Sequence, residues 1–142
     1  MTVIYLDTSV VVPLFVHEPG SASILGWLES SSDALASSDW MLTEFSSALA
    51  IKVRSRAITL KVARDASREF ERFCQENLPL AAVTREAFRE AALIATQPDP
   101  GIRAADALHL AMAREMGARA IATADVALAR CAESVGLRAL RF

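Results

Sequence analysis

The chain has 142 residues, of which 53% are hydrophobic and 23% are charged, so it has enough apolar material for one folded core and is too apolar for intrinsic disorder. Its formal net charge of −2 gives no overall attraction to nucleic acid. No apolar run reaches the roughly 18–20 residues of a membrane span, and Asp7 interrupts the first apolar stretch where a signal peptide would continue. The two cysteines, Cys74 and Cys131, lie far apart and predict no disulfide. We therefore expect a single cytoplasmic domain over residues 1–142, without a membrane segment.

Short, largely apolar runs, the first of them β-branched, alternate with helical patterns along the whole chain. Thr59 and Thr84 are typical helix caps, and the segment 97–101 is the clearest loop. The helix predicted over 102–116 is apolar nearly all round, so we expect it to be deeply packed. In chain order, we expect a strand at 2–6, helices at 10–16 (disturbed by Pro13) and 21–31, a strand at 34–37, helices at 39–54 and 59–77, a strand at 80–83, helices at 84–95 and 102–116, a strand at 119–122, a helix at 125–135 and a strand at 137–140.

Strands that alternate with helices at this spacing predict βαβ crossovers. Such crossovers produce a mostly parallel sheet that helices cover on both faces. The fold class expected from the residues alone is therefore α/β, and ligands of such folds bind beyond the carboxyl ends of the strands.

Two acidic residues follow predicted strands closely. Asp7 comes immediately after the first strand, and Asp125 comes after the fourth with Thr123 and Ala124 between. A carboxylate beside a buried strand end is costly unless something compensates its charge. Each could instead be an ordinary helix N-cap, and for either residue alone this reading stays open.

Two further acids lie in apolar helices. Asp106 stands in the most apolar helix, past its predicted first turn, where an aspartate is unfavourable both for helix formation and for burial. Glu44 lies near a helix start between Leu42 and Phe45, so it could simply complement the helix dipole.

These four acids could converge at the carboxyl edge of the sheet. Like charges that lie close together persist only with cations or shared protons. Oxygen ligands without a cysteine pair suit Mg²⁺ or Mn²⁺ rather than zinc. Such a site favours hydrolysis of a phosphodiester by a metal-activated water.

At these positions the sequence resembles the PIN-domain ribonucleases of the VapC toxin type. The resemblance covers essentially the whole chain, and the ordered set of motifs is more specific than any one of them. The matching segments are Tyr5-Leu-Asp-Thr-Ser9, Leu42-Thr-Glu-Phe45, Arg103-Ala-Ala-Asp-Ala-Leu-His-Leu-Ala111 and Ala122-Thr-Ala-Asp125.

The resemblance implies a three-layer α/β/α PIN-like fold with a five-stranded, mostly parallel sheet. It implies an endoribonuclease toxin that uses Mg²⁺ or Mn²⁺ to hydrolyse RNA, often as a homodimer, with a cognate VapB-like antitoxin that fills the groove. We expect apolar groove walls near Leu14, Phe15 and Phe45, and a basic antitoxin side chain among the carboxylates. The implied metal-binding and catalytic residues are Asp7, Glu44, Asp106 and Asp125, supported by the hydroxyl groups of Thr8, Ser9 and Thr123.

A stripe of seven basic residues lies between Lys52 and Arg72. Arg54, Arg56 and Arg64 are our candidates for contacts with the RNA backbone. A solvated helix face with local ion pairs explains the same pattern, and both interpretations stay open.

Other interpretations fit less well. His109, one turn beyond Asp106, could carry protons or contact substrate, but we expect a packed helix residue with local hydrogen bonds. The only lysines, Lys52 and Lys61, lie in predicted helices, which excludes a receiver-like module, and Ser9 stands where an aspartyl phosphatase would carry an acid. No glycine-rich turn follows the first strand, as dinucleotide binding would require. The alternative we keep is a catalytically silent PIN scaffold that binds RNA or a protein.

Overall fold

The computed structural model describes residues 2–142. Five strands and seven helices alternate largely as expected, and most bounds agree within two residues. The elements are β1 (Val3–Leu6), α1 (Thr8–Phe15), α2 (Ser21–Ser30), β2 (Ala34–Ser38), α3 (Trp40–Arg54), α4 (Leu60–Asn77), β3 (Leu80–Ala81), α5 (Arg85–Ala95), α6 (Ala104–Glu115), β4 (Ala120–Thr123), α7 (Val126–Ser134) and β5 (Arg138–Arg141).

All five strands run parallel in the order β3-β2-β1-β4-β5, which confirms the predicted α/β class. The chain leaves β1 towards β2 on one side and returns to β4 on the other. The strand order therefore reverses between β1 and β4, and this is where parallel sheets of this kind bind ligands.

Two apolar layers cover the sheet. Ile4 and Leu6 pack with α1–α4 on one face, whereas Tyr5 packs with α5–α7 on the other. The alternation follows from the two-residue period of a strand. The three-layer arrangement is the one that the resemblance implied.

The sequence misplaced two helix starts. Helix α1 begins at Thr8 and continues through Pro13, because proline in a short helix removes only one hydrogen bond when its ring can be accommodated. Helix α6 begins at Ala104 rather than at 102, which puts Asp106 in its first turn. The dipole of α6 therefore favours a carboxylate at this position, a contribution that the predicted bounds had excluded. The expected deep packing of α6 is confirmed by the unbroken buried run from Ala107 to Ala113.

No helix within residues 2–142 is both long and apolar enough to cross a bilayer.

Candidate active site

Strand register brings the first and fourth strand ends together. Leu6 pairs with Ala122, so the next residues of the two strands, Asp7 and Thr123, lie side by side. The backbone N–H of Asp7 donates to the carbonyl of Ala122 at 3.0 Å, which continues the pairing into the turn. The acid of the first strand is thereby fixed beside the end of the fourth.

Asp7 is buried and does not cap helix α1 with its side chain. Its Oδ2 accepts hydrogen bonds from the hydroxyls of Ser9 at 2.5 Å and Thr123 at 2.9 Å. The hydroxyl of Ser9 is itself held by the turn after β4, because its Oγ accepts a hydrogen bond from the backbone N–H of Ala124. Two of the three hydroxyl groups predicted beside the acids, those of Ser9 and Thr123, therefore lie against Asp7.

Glu44 reaches the groove from helix α3, which lies on the opposite face of the sheet from α6. Its Oε2 accepts a hydrogen bond from the Thr8 hydroxyl at 2.8 Å and another from Nε2 of His109. Burial alone would raise the pKa of Glu44, but the hydrogen bond and positive charge of His109 hold it below its ordinary value. Glu44 is thus kept ionised although it is partly buried.

The two remaining acids share a cation. Asp106 and Asp125 each place a carboxylate oxygen 3.9 Å from the guanidinium of Arg103, whose side chain is exposed. Asp125 also caps α7, since its Oδ1 accepts from the backbone N–H of Leu128 at 3.0 Å. The N-cap interpretation is therefore right for one oxygen of Asp125, while the other oxygen faces Arg103.

The surroundings of Asp106 disfavour its negative charge. Burial, followed by the negative charges of Asp7 and Asp125, raises the pKa of Asp106 to about 6, and Arg103 only partly offsets these effects. A carboxyl group with this pKa takes up a proton readily, which is how a cluster of like charges relieves repulsion when no cation is bound.

All four acids line one open groove of about 490 Å³ at the carboxyl edge of the sheet, together with Thr8 and Ser9. Within residues 2–142, Asp7, Glu44 and His109 each place one potential metal-ligand atom within 4.8 Å of the other two. The four acids therefore form two pairs: Asp7 and Glu44 lie beside His109, and Asp106 and Asp125 lie beside Arg103. Abundant carboxylate oxygens in a solvent-accessible groove fit a divalent cation that prefers oxygen ligands.

His109 is buried as expected, but the expected local hydrogen bonds are wrong. Its partners are Tyr5, Thr8 and Glu44, which are 65 to 104 positions away along the chain. Sequence reasoning missed this role because the contacts depend on how α6 is placed relative to β1, α1 and α3. The available signal was a histidine one turn after an unexplained acid.

The apolar walls of the groove differ from the expectation. Phe45 is buried and stacks on Phe70 with ring centroids 3.9 Å apart, so it belongs to the core. Phe15 packs edge-on against the same rings, and Leu14 also packs against this core. The apolar part of the groove is formed instead by Val12, Ala48 and Ile51.

The basic stripe divides into two groups. Lys61 and Arg68 both pair with Asp65 on α4, as the solvated-face interpretation predicts. Within the described part of the chain, Arg54, Arg56 and Arg64 form no ion pair, and all three are exposed. None of the three lines the acidic groove, whereas Lys52, paired with Glu18, does.

Comparisons with known proteins agree with this architecture. A family model described as the PIN domain matches residues 4–134. A comparison with curated protein sequences found no match.

Solved structures share the fold over nearly their full length at low sequence identity. The toxin VapC20 of Mycobacterium tuberculosis, described as cleaving the sarcin–ricin loop, matches with a TM-score of 0.75 and 18% identity, covering 98% of this chain and 99% of that one. A chain of VapBC2 from Rickettsia felis, solved with a promoter DNA fragment, matches with a TM-score of 0.68 and 14% identity over 99% of this chain and 98% of that one. A chain of FitAcB from Neisseria gonorrhoeae matches with a TM-score of 0.69 and 20% identity over 97% and 96% of the two chains.

Proposed function

Since this chain belongs to the PIN domain family, we propose that it is an endoribonuclease toxin that hydrolyses RNA phosphodiester bonds with the help of Mg²⁺ or Mn²⁺. One observation carries the proposal: Asp7, Glu44, Asp106 and Asp125 line a single groove at the carboxyl edge of the sheet. The description of VapC20 as a toxin that cleaves an RNA loop supports RNA as the substrate class.

The chain's own residues orient the carboxylates of this groove. Ser9 and Thr123 hold Asp7, while Thr8 and His109 hold Glu44. A divalent cation bound among these oxygens would lower the pKa of water and neutralise charge on the phosphodiester. The hydroxyl and imidazole donors reduce the conformational freedom that the carboxylates would otherwise lose on binding the cation.

RNA needs positive charge beside the acidic groove. Lys52 lies in the groove wall, where its ion pair with Glu18 holds it in place. We propose that Arg54, Arg56 and Arg64, which are exposed, guide the RNA backbone towards the groove.

We also propose a VapB-like antitoxin as the partner. VapBC2, one of the similar structures, carries a name that joins two components and is described as bound to a DNA fragment from their promoter. A basic antitoxin side chain would bind among the four carboxylates, and the guanidinium of Arg103 already lies 3.9 Å from two of them, Asp106 and Asp125. The proposed site of action of the toxin is the cytoplasm. The homodimer that the resemblance implies stays a prediction, which sedimentation analysis can test.

The proposal is tested by incubating the purified chain with an RNA mixture in Mn²⁺, in Mg²⁺ and in EDTA. We expect cleavage only with a divalent cation, and none by the Asp7→Asn variant. Asp99→Asn, at an exposed position outside the groove, is the matched control and should cleave normally. RNA binding without cleavage under all conditions would favour the silent scaffold and contradict the enzyme.

A further inference from the structure

A fully buried histidine lies beneath the acidic groove and does not line it. Nε2 of His109 bonds to Oε2 of Glu44 and lies 3.2 Å from the Thr8 hydroxyl and 3.5 Å from Oδ1 of Asp7. On the other side of the ring, Nδ1 lies 2.9 Å from the hydroxyl of Tyr5. Every polar contact of this ring therefore lies on β1, α1 or α3, or in the turn between β1 and α1, and none on its own helix.

The surroundings fix which nitrogen donates. An ionised carboxylate only accepts hydrogen bonds, so Nε2 must carry the proton that it shares with Glu44. The Tyr5 hydroxyl can donate or accept, and it is held in place by Ser38 at 2.8 Å. The ring is thus oriented from one side by Tyr5 and donates from the other to Glu44.

These contacts argue against a direct bond from His109 to a metal ion. A nitrogen that carries a proton has no free lone pair for a cation, and Thr8 and Glu44 separate the ring from the groove. Packing alone is also insufficient, because an apolar side chain could fill the space without a donor aimed at a carboxylate.

We propose that His109 is a positioning residue that orients the Glu44 carboxylate for a divalent cation, an inference that rests on the metal site of the proposed function. Two donors, Thr8 and His109, converge on Oε2 of Glu44. A glutamate has several rotatable bonds, and a fixed carboxylate loses less entropy when it binds a cation. Loss of such a supporting hydrogen bond typically lowers metal affinity about 10- to 100-fold.

Two amide variants separate positioning from packing. In His109→Gln the amide reaches the place of Nε2 and can still donate to Glu44, whereas in His109→Asn it reaches only the place of Nδ1. Calorimetric titration with Mn²⁺ should show an affinity within about threefold of wild type for His109→Gln and at least about tenfold weaker for His109→Asn. Urea unfolding of both variants provides the control, since a packing role predicts that metal affinity follows the loss of stability.

Equal Mn²⁺ affinity of the two amide variants would overturn the positioning role. If either variant fails to fold, Tyr5→Phe decides, because it preserves the ring packing and removes only the hydroxyl that orients Nδ1. We expect Tyr5→Phe to bind Mn²⁺ more weakly than wild type, and unchanged affinity would overturn the proposal. Wild-type protein that binds no Mn²⁺ would contradict the proposed function itself, whereas Mn²⁺ binding without RNA cleavage would leave the role of His109 standing.

Discussion

Neutralising Asp106 should stabilise the metal-free protein at neutral pH. Its side chain is 15% exposed, and burial together with Asp7 and Asp125 raises its pKa from 3.8 to about 6. Each pKa unit corresponds to about 1.4 kcal/mol, so ionised Asp106 costs the folded state up to about 3 kcal/mol. The substitution Asp106→Asn removes this cost and keeps the shape of the side chain.

The pH dependence has a definite sign. Because the pKa of Asp106 is higher in the folded than in the unfolded chain, the folded state binds more protons between pH 3.8 and about 6. The contribution of Asp106 to stability is therefore present below pH 3.8 and is lost as the pH rises through about 6. The advantage of Asp106→Asn should grow from about 1 kcal/mol near pH 4.5 to about 3 kcal/mol near pH 7.5.

Urea unfolding in EDTA at both pH values measures this difference. The matched control is Asp99→Asn, whose side chain is exposed in a loop and should show no comparable gain. Saturating Mn²⁺ should reverse the order, because a ligand at about 1,000 times its Kd stabilises the wild type by about 4.1 kcal/mol, which exceeds the gain from the substitution. The reasoning would be refuted if Asp106→Asn did not raise the free energy of unfolding near pH 7.5, or raised it equally at both pH values.

Three further predictions follow from the charges around the groove. Replacing Arg54, Arg56 and Arg64 together with Gln should lower the salt slope of RNA binding by about 2, since each lost single-strand phosphate contact removes about 0.7. An unchanged slope would mean that the three arginines only form a solvated helix face. Arg103→Gln should raise Mn²⁺ affinity about two- to fivefold by calorimetry, because an exposed competing cation is lost, and a lower affinity would contradict this. A co-expressed antitoxin should weaken Mn²⁺ binding to the complex, whereas equal affinity with cleavage still blocked would mean that inhibition is steric.

The fold and the identity of the acids were predictable from local patterns. Strand-forming runs that alternate with amphipathic helices leave few topologies for a parallel sheet. Asp7 and Asp125 were accessible to sequence reasoning because each lies within two residues of the end of a strand, and the carboxyl ends of parallel strands meet at one edge. Ser9 and Thr123 could be named as neighbours because each lies two residues from one of these acids, and both hydroxyls donate to Asp7.

The internal arrangement of the site depended on contacts that no local pattern encodes. His109 meets Glu44 across the two helical layers, and this requires the relative placement of α3 and α6 over the sheet. Phe45 has the same helical spacing whether it faces a groove or the core, and only its stacking on Phe70 of α4 decides. The ion pairs of Arg103 with Asp106 and Asp125 could not be predicted, because they depend on α6 beginning directly after Arg103.

The central claim is that the acidic groove hydrolyses RNA with water as the nucleophile. The most direct measurement is end-group analysis of RNA fragments produced by the wild type and by Asp7→Asn in Mn²⁺. Attack by water leaves linear phosphate ends, so we predict fragments without 2′,3′-cyclic phosphate from the wild type and no fragments from the variant. Cyclic phosphate ends, or the same fragments from Asp7→Asn or in EDTA, would contradict the account.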